Sequence, residues 1–200
     1  MLCTYLNSHS EVLCHHEIFN PDGIFYALHL RGTSFGLGTI EDRDNDPLAF
    51  LDRVWQADFG RRCVGFKLTH RQNEAVFYSV LRDATVKKII LHRKNRIKRF
   101  VSFLIAEKTG KWEAYGQRDR RDCPTKVEVD LSALYNHIEL NNAYYAEVEG
   151  ALRSSGQPFL SIAYEELLTG AIKEQLLKFL GVAVDVGDLK VQSVKQNSHD

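Results

Sequence analysis

The chain alternates between short apolar runs and longer segments of amphipathic spacing. Apolar runs of strand length lie at residues 12–17, 62–68, 86–91 and 157–163. After these runs, apolar residues recur at helical spacing in segments that begin near residues 47, 73, 95, 130 and 172. This alternation predicts an α/β fold, in which parallel strands form one sheet and crossover helices flank it.

Individual residues sharpen the predicted boundaries. Asp46 followed by Pro47 predicts a helix N-cap and a first helical residue. Gly110 predicts the end of a helix that spans residues 95–107. Residues 25–38 contain three glycines and predict a loop. The sequence before residue 8 is typical of a helix and lacks the basic and apolar regions of a signal peptide.

Composition limits the classes of function. The 200 residues suit one domain, and hydrophobic residues make up 44% of them, enough for a core. The formal net charge is zero, so we expect no overall attraction to nucleic acid or to a membrane surface. No apolar run reaches the length of a transmembrane helix. Any site for an anion must therefore be local.

Cysteine usage indicates the compartment. The four cysteines lie far apart and form no Cys-x-x-Cys pair: Cys3, Cys14, Cys63 and Cys123. This spacing predicts reduced thiols in a cytoplasmic protein. Cys14, His15 and His16 leave a zinc site open as an alternative. A core cysteine beside polar histidines is the simpler interpretation, because successive side chains on a strand point to opposite faces.

A basic segment follows the third predicted strand. Residues 87–99 contain seven lysines and arginines and no acid. The helix after it has an apolar stripe at Ile97, Phe100, Val101, Leu104 and Ile105. Its opposite side carries Asn95, Lys98, Arg99 and Ser102, with Arg93 in the preceding loop.

Arginine forks, a hydroxyl and the free N–H groups of a helix N-terminus suit a dianionic phosphate. The basic segment therefore predicts a phosphate site. Two alternatives stay open, which are a solvated basic helix face and the binding of RNA or another polyanion.

The segment IILHRKNRIKRFVSFLIAEKTGKW, residues 89–112, resembles a known element. It is similar to the 3′-phosphate-binding element of sulfotransferases that use 3′-phosphoadenosine-5′-phosphosulfate (PAPS), in particular the bacterial carbohydrate and nodulation-type group. The resemblance implies that Arg93 and Ser102 hold the 3′-phosphate. Asn95 matches the Arg-x-Asn opening of the bacterial subgroup.

Residues 8–21, SHSEVLCHHEIFNP, resemble the family segment that carries the proposed catalytic base. The resemblance assigns that role to Glu17, which would take the proton from an acceptor hydroxyl. Two alternatives are a strand-end glutamate paired with a neighbouring histidine, and His16 as the base or a substrate contact.

Three further matches concern ligand binding. Gly-Phe-Lys ending at Lys67 resembles the family's second strand and implies a contact to the acceptor or the sulfonate, although a strand-end lysine is often simply solvated. Tyr164, in Tyr-Glu-Glu-Leu, resembles the tyrosine beside the adenine, or else packs the strand–helix turn. Residues 195–197, Lys-Gln-Asn, resemble a late loop that covers the nucleotide.

The resemblance implies a P-loop NTPase-like sulfotransferase fold whose first strand and phosphosulfate-binding loop are missing from this sequence. The implied reaction transfers a sulfonate from PAPS to a hydroxyl of a carbohydrate or small-molecule acceptor, with no metal. We expect residues 31–45 and 111–125 to shape the acceptor pocket. The alternative is a truncated or non-catalytic relative that only binds nucleotide or a polyanion. A nucleotide-dependent kinase would need a Walker-type loop, which the sequence lacks.

Overall fold

The computed structural model describes residues 1–70, 72–112 and 126–184. The strands in these ranges are β1 (Val12–His15), β2 (Cys63–Phe66), β3 (Lys88–His92) and β4 (Phe159–Ala163). The helices are α1 (Leu2–Leu6), α2 (Ile40–Asn45), α3 (Pro47–Gln56), α4 (Glu74–Arg82), α5 (Arg96–Thr109), α6 (Leu131–Ser154), α7 (Tyr164–Thr169) and α8 (Lys173–Leu180). The four predicted strands are confirmed, and α2 and α7 are additional helices.

Asparagine and aspartate fix the starts of the longer helices. The side chain of Asp46 accepts a hydrogen bond from the third backbone N–H of α3, and Asn73, Asn95 and Asp130 do the same for α4, α5 and α6. Each cap satisfies a donor that a helix otherwise leaves without an acceptor. Gly110, with φ of 65°, ends α5 in the left-handed conformation that glycine adopts readily.

The strands form two parallel pairs instead of the single sheet that the alternation predicts. Within the described ranges, β1 pairs with β2 and β3 pairs with β4. In the first pair His15 lies opposite Phe66, and in the second His92 lies opposite Ala163. The residues that follow these partners therefore leave each pair side by side.

A side chain closes the second edge of β1. The N–H of Cys14 donates to Oδ1 of Asn7 over 2.8 Å, and its C=O accepts from Nδ2 over 2.5 Å. The other edge of β1 pairs in parallel with β2. Asn7, the C-cap of α1, thus supplies at this point the donor and acceptor that a neighbouring strand would supply.

The two strand pairs share one hydrophobic cluster. Val12 of β1 and Ile162 of β4 both belong to it, together with buried residues of α1, α7 and α8. A second cluster surrounds Phe19 and Phe50, and a third joins Ile90 of β3 to α6. No helix in the described part of the chain is both long enough and apolar enough to cross a membrane.

The apolar stripe of α5 is shorter than predicted. Phe100 and Ile105 are buried, but Ile97 is 59% exposed. Residues 94–98 are all exposed, so the first turn of α5 extends past the part that packs against the rest of the fold. The inclusion of Ile97 in the core stripe was therefore wrong.

Candidate functional site

Arg93, Ser102 and Tyr164 meet at the ends of β3 and β4. Arg93 directly follows β3 and Tyr164 directly follows β4, and these strands are paired in parallel. Nη1 of Arg93 donates to Oγ of Ser102 over 3.3 Å. The guanidinium carbon of Arg93 lies 5.0 Å from the ring centroid of Tyr164, a cation–π distance. Parallel pairing thus joins two residues that are far apart in the sequence.

The hydroxyl of Ser102 is held between two partners. Its oxygen accepts from Arg93, and its proton is donated to the C=O of Lys98 over 2.7 Å. A serine hydroxyl can rotate about its C–O bond. A ligand oxygen beside Arg93 would therefore receive the same proton without any movement of the backbone.

Several N–H groups at the start of α5, where the sequence predicts free donors for a phosphate, already have acceptors. The N–H of Lys98 donates to the side chain of Asn95 over 2.8 Å. The carboxylate of Glu165 accepts the N–H groups of Lys94, over 3.2 Å, and of Asn95, over 3.5 Å. An internal carboxylate therefore accepts the two N–H groups that precede α5, and Asn95 serves as a cap.

Partial burial acts to raise the pKa of Glu165. The backbone N–H groups of Glu165, Lys94 and Asn95, together with the charge of Arg93, outweigh this effect and hold the pKa below its ordinary value. Glu165 lies next to Tyr164 in the predicted motif. Its contact with the N–H groups before α5 depends on the pairing of β3 with β4. No sequence signal reveals it.

Glu17 lies at the centre of a second cluster, beyond the ends of β1 and β2. Its Oε1 forms an ion pair with Nζ of Lys67. Its Oε2 accepts from Nε2 of Gln72 over 2.6 Å and from Nδ2 of Asn20 over 2.8 Å. Glu17 and Lys67 were both predicted as site residues, and the structure brings them into contact. The hydrogen bond from Asn20 was not predicted.

The partners of Glu17 determine its protonation. Burial acts to raise the pKa of this carboxyl, but the charge of Lys67 and the three hydrogen bonds hold the pKa below its ordinary value. Glu17 is therefore ionised at neutral pH and holds a proton weakly while Lys67 stays paired. Lys67, with 48% of its side chain exposed, is the partner that can move away.

The two histidines of this region lie in the interior. His15 is fully buried, and its Nδ1 accepts the N–H of Ala27 over 3.3 Å, which assigns the ring proton to Nε2. Burial lowers the pKa of His15 to about 4. His16 is 3% exposed, so its ring is closed to an acceptor in this structure.

Other predicted ligand groups fall outside these clusters. Within the described ranges, no three His, Cys, Asp or Glu side chains come close enough to hold a metal ion. Cys3, Cys14 and Cys63 are free thiols. The Lys-Gln-Asn stretch at 195–197, and most of the acceptor loop at 111–125, lie outside the described residues.

Arg99 departs from the predicted polar face of α5. Its Nη1 donates to the hydroxyl of Tyr145 on α6 over 3.4 Å, and its guanidinium carbon lies 5.6 Å from the centroid of that ring. It therefore faces α6 and does not contact Ser102.

Comparison with known proteins adds no assignment. No protein-family model, curated protein or solved structure matches this chain. The geometry of the two clusters is thus the basis for a functional proposal.

Proposed function

We propose that this chain is a relative of the PAPS-dependent sulfotransferases and binds a 3′-phosphorylated adenosine nucleotide at the ends of β3 and β4. The convergence of Arg93, Ser102 and Tyr164 carries the proposal. Arg93 and Ser102 were predicted together from one segment and Tyr164 from another, and the three meet within hydrogen-bond or cation–π distance.

The chemistry of this cluster suits a phosphate dianion. The guanidinium of Arg93 has five donors, and the contact to Ser102 uses one of them. Its remaining donors and the rotating hydroxyl of Ser102 would hold the 3′-phosphate. The cation–π contact to Tyr164 fixes the guanidinium, and the same ring would border the adenine.

The proposed reaction is the transfer of a sulfonate from PAPS to a hydroxyl of a carbohydrate or small-molecule acceptor, within a P-loop NTPase-like fold. The acceptor oxygen forms a bond to sulfur while the bond from sulfur to the phosphate oxygen breaks. Glu17 takes the proton of the acceptor hydroxyl. Lys67, once released from Glu17, contacts the sulfonate or the acceptor. No metal ion is required.

One observation favours binding without transfer. Both carboxylate oxygens of Glu17 are engaged, by Lys67 on one side and by Gln72 and Asn20 on the other. A relative that binds nucleotide or a polyanion but makes no product is therefore the second candidate.

Calorimetric titration with adenosine 3′,5′-bisphosphate and with adenosine 5′-phosphate tests the nucleotide site. We expect the bisphosphate to bind at least about tenfold more tightly, because the extra phosphate adds charge-assisted hydrogen bonds. Ser102→Ala should reduce this preference, while Arg82→Gln, which removes an exposed arginine of α4, should not. Equal affinity for the two nucleotides, or no binding of either, overturns the proposal.

Incubation with PAPS then separates the two candidates. Acceptor-dependent release of adenosine 3′,5′-bisphosphate supports transfer. Tight nucleotide binding without such release, over a panel of carbohydrate acceptors, supports the binding relative.

A further inference from the structure

A basic cleft lies between the N-terminal half of α5 and the middle of α6. Its volume is about 200 Å³, and its walls include Arg96 and Arg99 from α5 and Asn141 and Tyr145 from α6. Arg93 and His92 close the end next to β3. No carboxylate side chain is among the described residues that line it.

The arginines of this cleft are held by neutral groups. Arg93 donates to the hydroxyl of Ser102, Arg96 to the side-chain amide oxygen of Asn142, and Arg99 to the hydroxyl of Tyr145. A neutral acceptor positions a guanidinium without neutralising its charge, although the charge of Arg93 is also attracted by the carboxylate of Glu165.

Several cations elsewhere in the described ranges form ion pairs with carboxylates. The pairs are Arg43–Asp44, Lys67–Glu17, Lys94–Glu166, Arg153–Glu149 and Lys178–Glu174. The chain as a whole has no net charge. Other cations of the described ranges also contact neutral oxygens, as Arg53 does with the C=O of Leu37. The cleft is distinguished by bringing three arginines with neutral hydrogen-bond partners together.

Tyr145 fixes the geometry of the cleft. Its hydroxyl donates to the C=O of Leu91 over 3.1 Å, so that α6 is tied to β3 at this point. Its ring lies 4.3 Å from the ring of His92 and 5.6 Å from the guanidinium carbon of Arg99. Pre-positioned donors bind an anion at a smaller entropic cost than mobile surface side chains.

We propose that this cleft binds a tetrahedral dianion, sulfate or phosphate, through Arg96 and Arg99. Forked guanidinium groups match the oxygens of such an anion better than a lysine does. The volume is below the roughly 300 Å³ at which pockets for whole small-molecule ligands begin. The site therefore takes a single oxyanion, either free or carried on a small molecule such as a sugar. It does not rest on the proposed nucleotide function.

Titration of the full chain with sodium sulfate tests the site, with sodium chloride at equal ionic strength as the reference. The readout is the Nε–Hε resonances of the arginines in a ¹H–¹⁵N spectrum. We expect saturable shifts at Arg96 and Arg99 with sulfate and with phosphate, and at least about tenfold weaker binding of acetate. Shifts with sulfate no larger than those with chloride overturn the proposal, and so does equal binding of acetate.

Two single variants and a matched control localise the site. Arg96→Gln and Arg99→Gln should each weaken sulfate binding by about tenfold. Arg82→Gln, which removes the same charge from the exposed face of α4, should weaken it by less than about twofold, since screened charges act weakly at a distance. An equal loss in Arg82→Gln shows non-specific attraction and overturns the proposal.

Two more titrations identify the source of the anion and distinguish this site from the nucleotide site. Tighter binding of a monosaccharide sulfate than of inorganic sulfate supports the site and assigns it to a ligand-borne group, whereas the reverse order supports it as a site for the free ion. Sulfate binding that survives in Ser102→Ala supports the cleft, even if adenosine 3′,5′-bisphosphate fails to bind. Loss of sulfate binding in Ser102→Ala, with Arg99→Gln unaffected, overturns it.

Discussion

The ends of the β1–β2 pair and the β3–β4 pair have the same strand geometry. They differ in the partners of the charged side chain that follows each pair. In both, parallel register brings together the residues that follow two strands. At β1–β2, the carboxylate of Glu17 is neutralised by Lys67 and enclosed by two amides. At β3–β4, Arg93 contacts a hydroxyl and an aromatic ring, and the carboxylate of Glu165 attracts its charge while accepting backbone N–H groups.

This difference shows how partners decide what a charged group can do. An opposite charge within contact distance stabilises the ionised form but reduces the field that a ligand meets. A neutral hydrogen-bond partner fixes the direction of a guanidinium and leaves its charge available. In the first cluster Lys67 holds the carboxylate of Glu17 ionised, whereas in the second the guanidinium of Arg93 is positioned by neutral hydrogen-bond and ring partners.

The histidines that end β1 and β3 differ in burial and in hydrogen-bond partner. His15 is fully buried, and its Nδ1 accepts a backbone N–H. His92 is partly exposed, and its Nε2 lies 3.0 Å from a carboxylate oxygen of Glu149. The interior around His15 thus disfavours a charged ring, while His92 has a carboxylate within hydrogen-bond distance.

The largest expected effect is a loss of nucleotide affinity on substitution at one cluster but not at the other. Arg93→Gln should weaken the binding of adenosine 3′,5′-bisphosphate by about 100-fold, because charge-assisted hydrogen bonds are lost. Lys67→Gln, which removes the same charge from the other cluster, should weaken it by less than about twofold. Both are measured by calorimetry, and equal losses would contradict the assignment of the 3′-phosphate to β3–β4.

The next effect concerns the edge of β1. Asn7→Ala should lower the free energy of unfolding by about 2–3 kcal/mol, because the N–H and C=O of buried Cys14 lose their partners. Urea unfolding measures it, with Asn136→Ala, at an exposed position of α6, as the control. A loss no larger than the control's would show that Asn7 does not close this edge.

The buried His15 gives a prediction for pH. Its pKa of about 4 lies below the ordinary 6.5, so the unfolded chain binds more protons between these values and stability falls as the pH is lowered through them. From about pH 7 to about pH 5, His15 should cost about 2 kcal/mol of stability. His15→Asn, whose Oδ1 can still accept the N–H of Ala27, should remove this part of the pH dependence.

Urea unfolding at the two pH values measures the change for the wild-type protein and the variant. The same slope in both would show that His15 is not buried as a neutral ring.

The smallest expected effect on stability tests the neutralised cluster itself. Lys67→Gln should raise the pKa of Glu17, because burial then acts with less opposition. The unfolding free energy should change by less than about 1 kcal/mol, since Lys67 is largely exposed. Glu17 has a lowered pKa, so its stabilising contribution is present above the ordinary pKa and is lost as the pH falls through the folded value.

A ¹³C titration of the Glu17 carboxyl measures the shift, and Lys178→Gln, which breaks the Lys178–Glu174 pair on α8, is the control. A pKa of Glu17 that stays unchanged in Lys67→Gln would assign the lowered value to the amide partners instead.

Local sequence alone determined the elements and their boundaries. Asp46, Asn73, Asn95 and Asp130 cap the helices that they were expected to begin or directly precede, because capping depends on groups within three residues. The four strands were identified for a similar reason, since apolar run length is a local property. Arg93 was placed at a strand end on the same grounds.

Tertiary structure decided which groups are engaged. Asn7 closes the edge of β1, Glu165 takes the N–H groups before α5, and Arg99 turns to α6. These contacts join residues that are seven to 71 positions apart. A hydrogen bond between distant residues depends on strand pairing and helix packing, and neither is encoded in a local pattern. The sequence thus determined which charged residues follow the strands, and the packing of the chain determined which partners those residues contact.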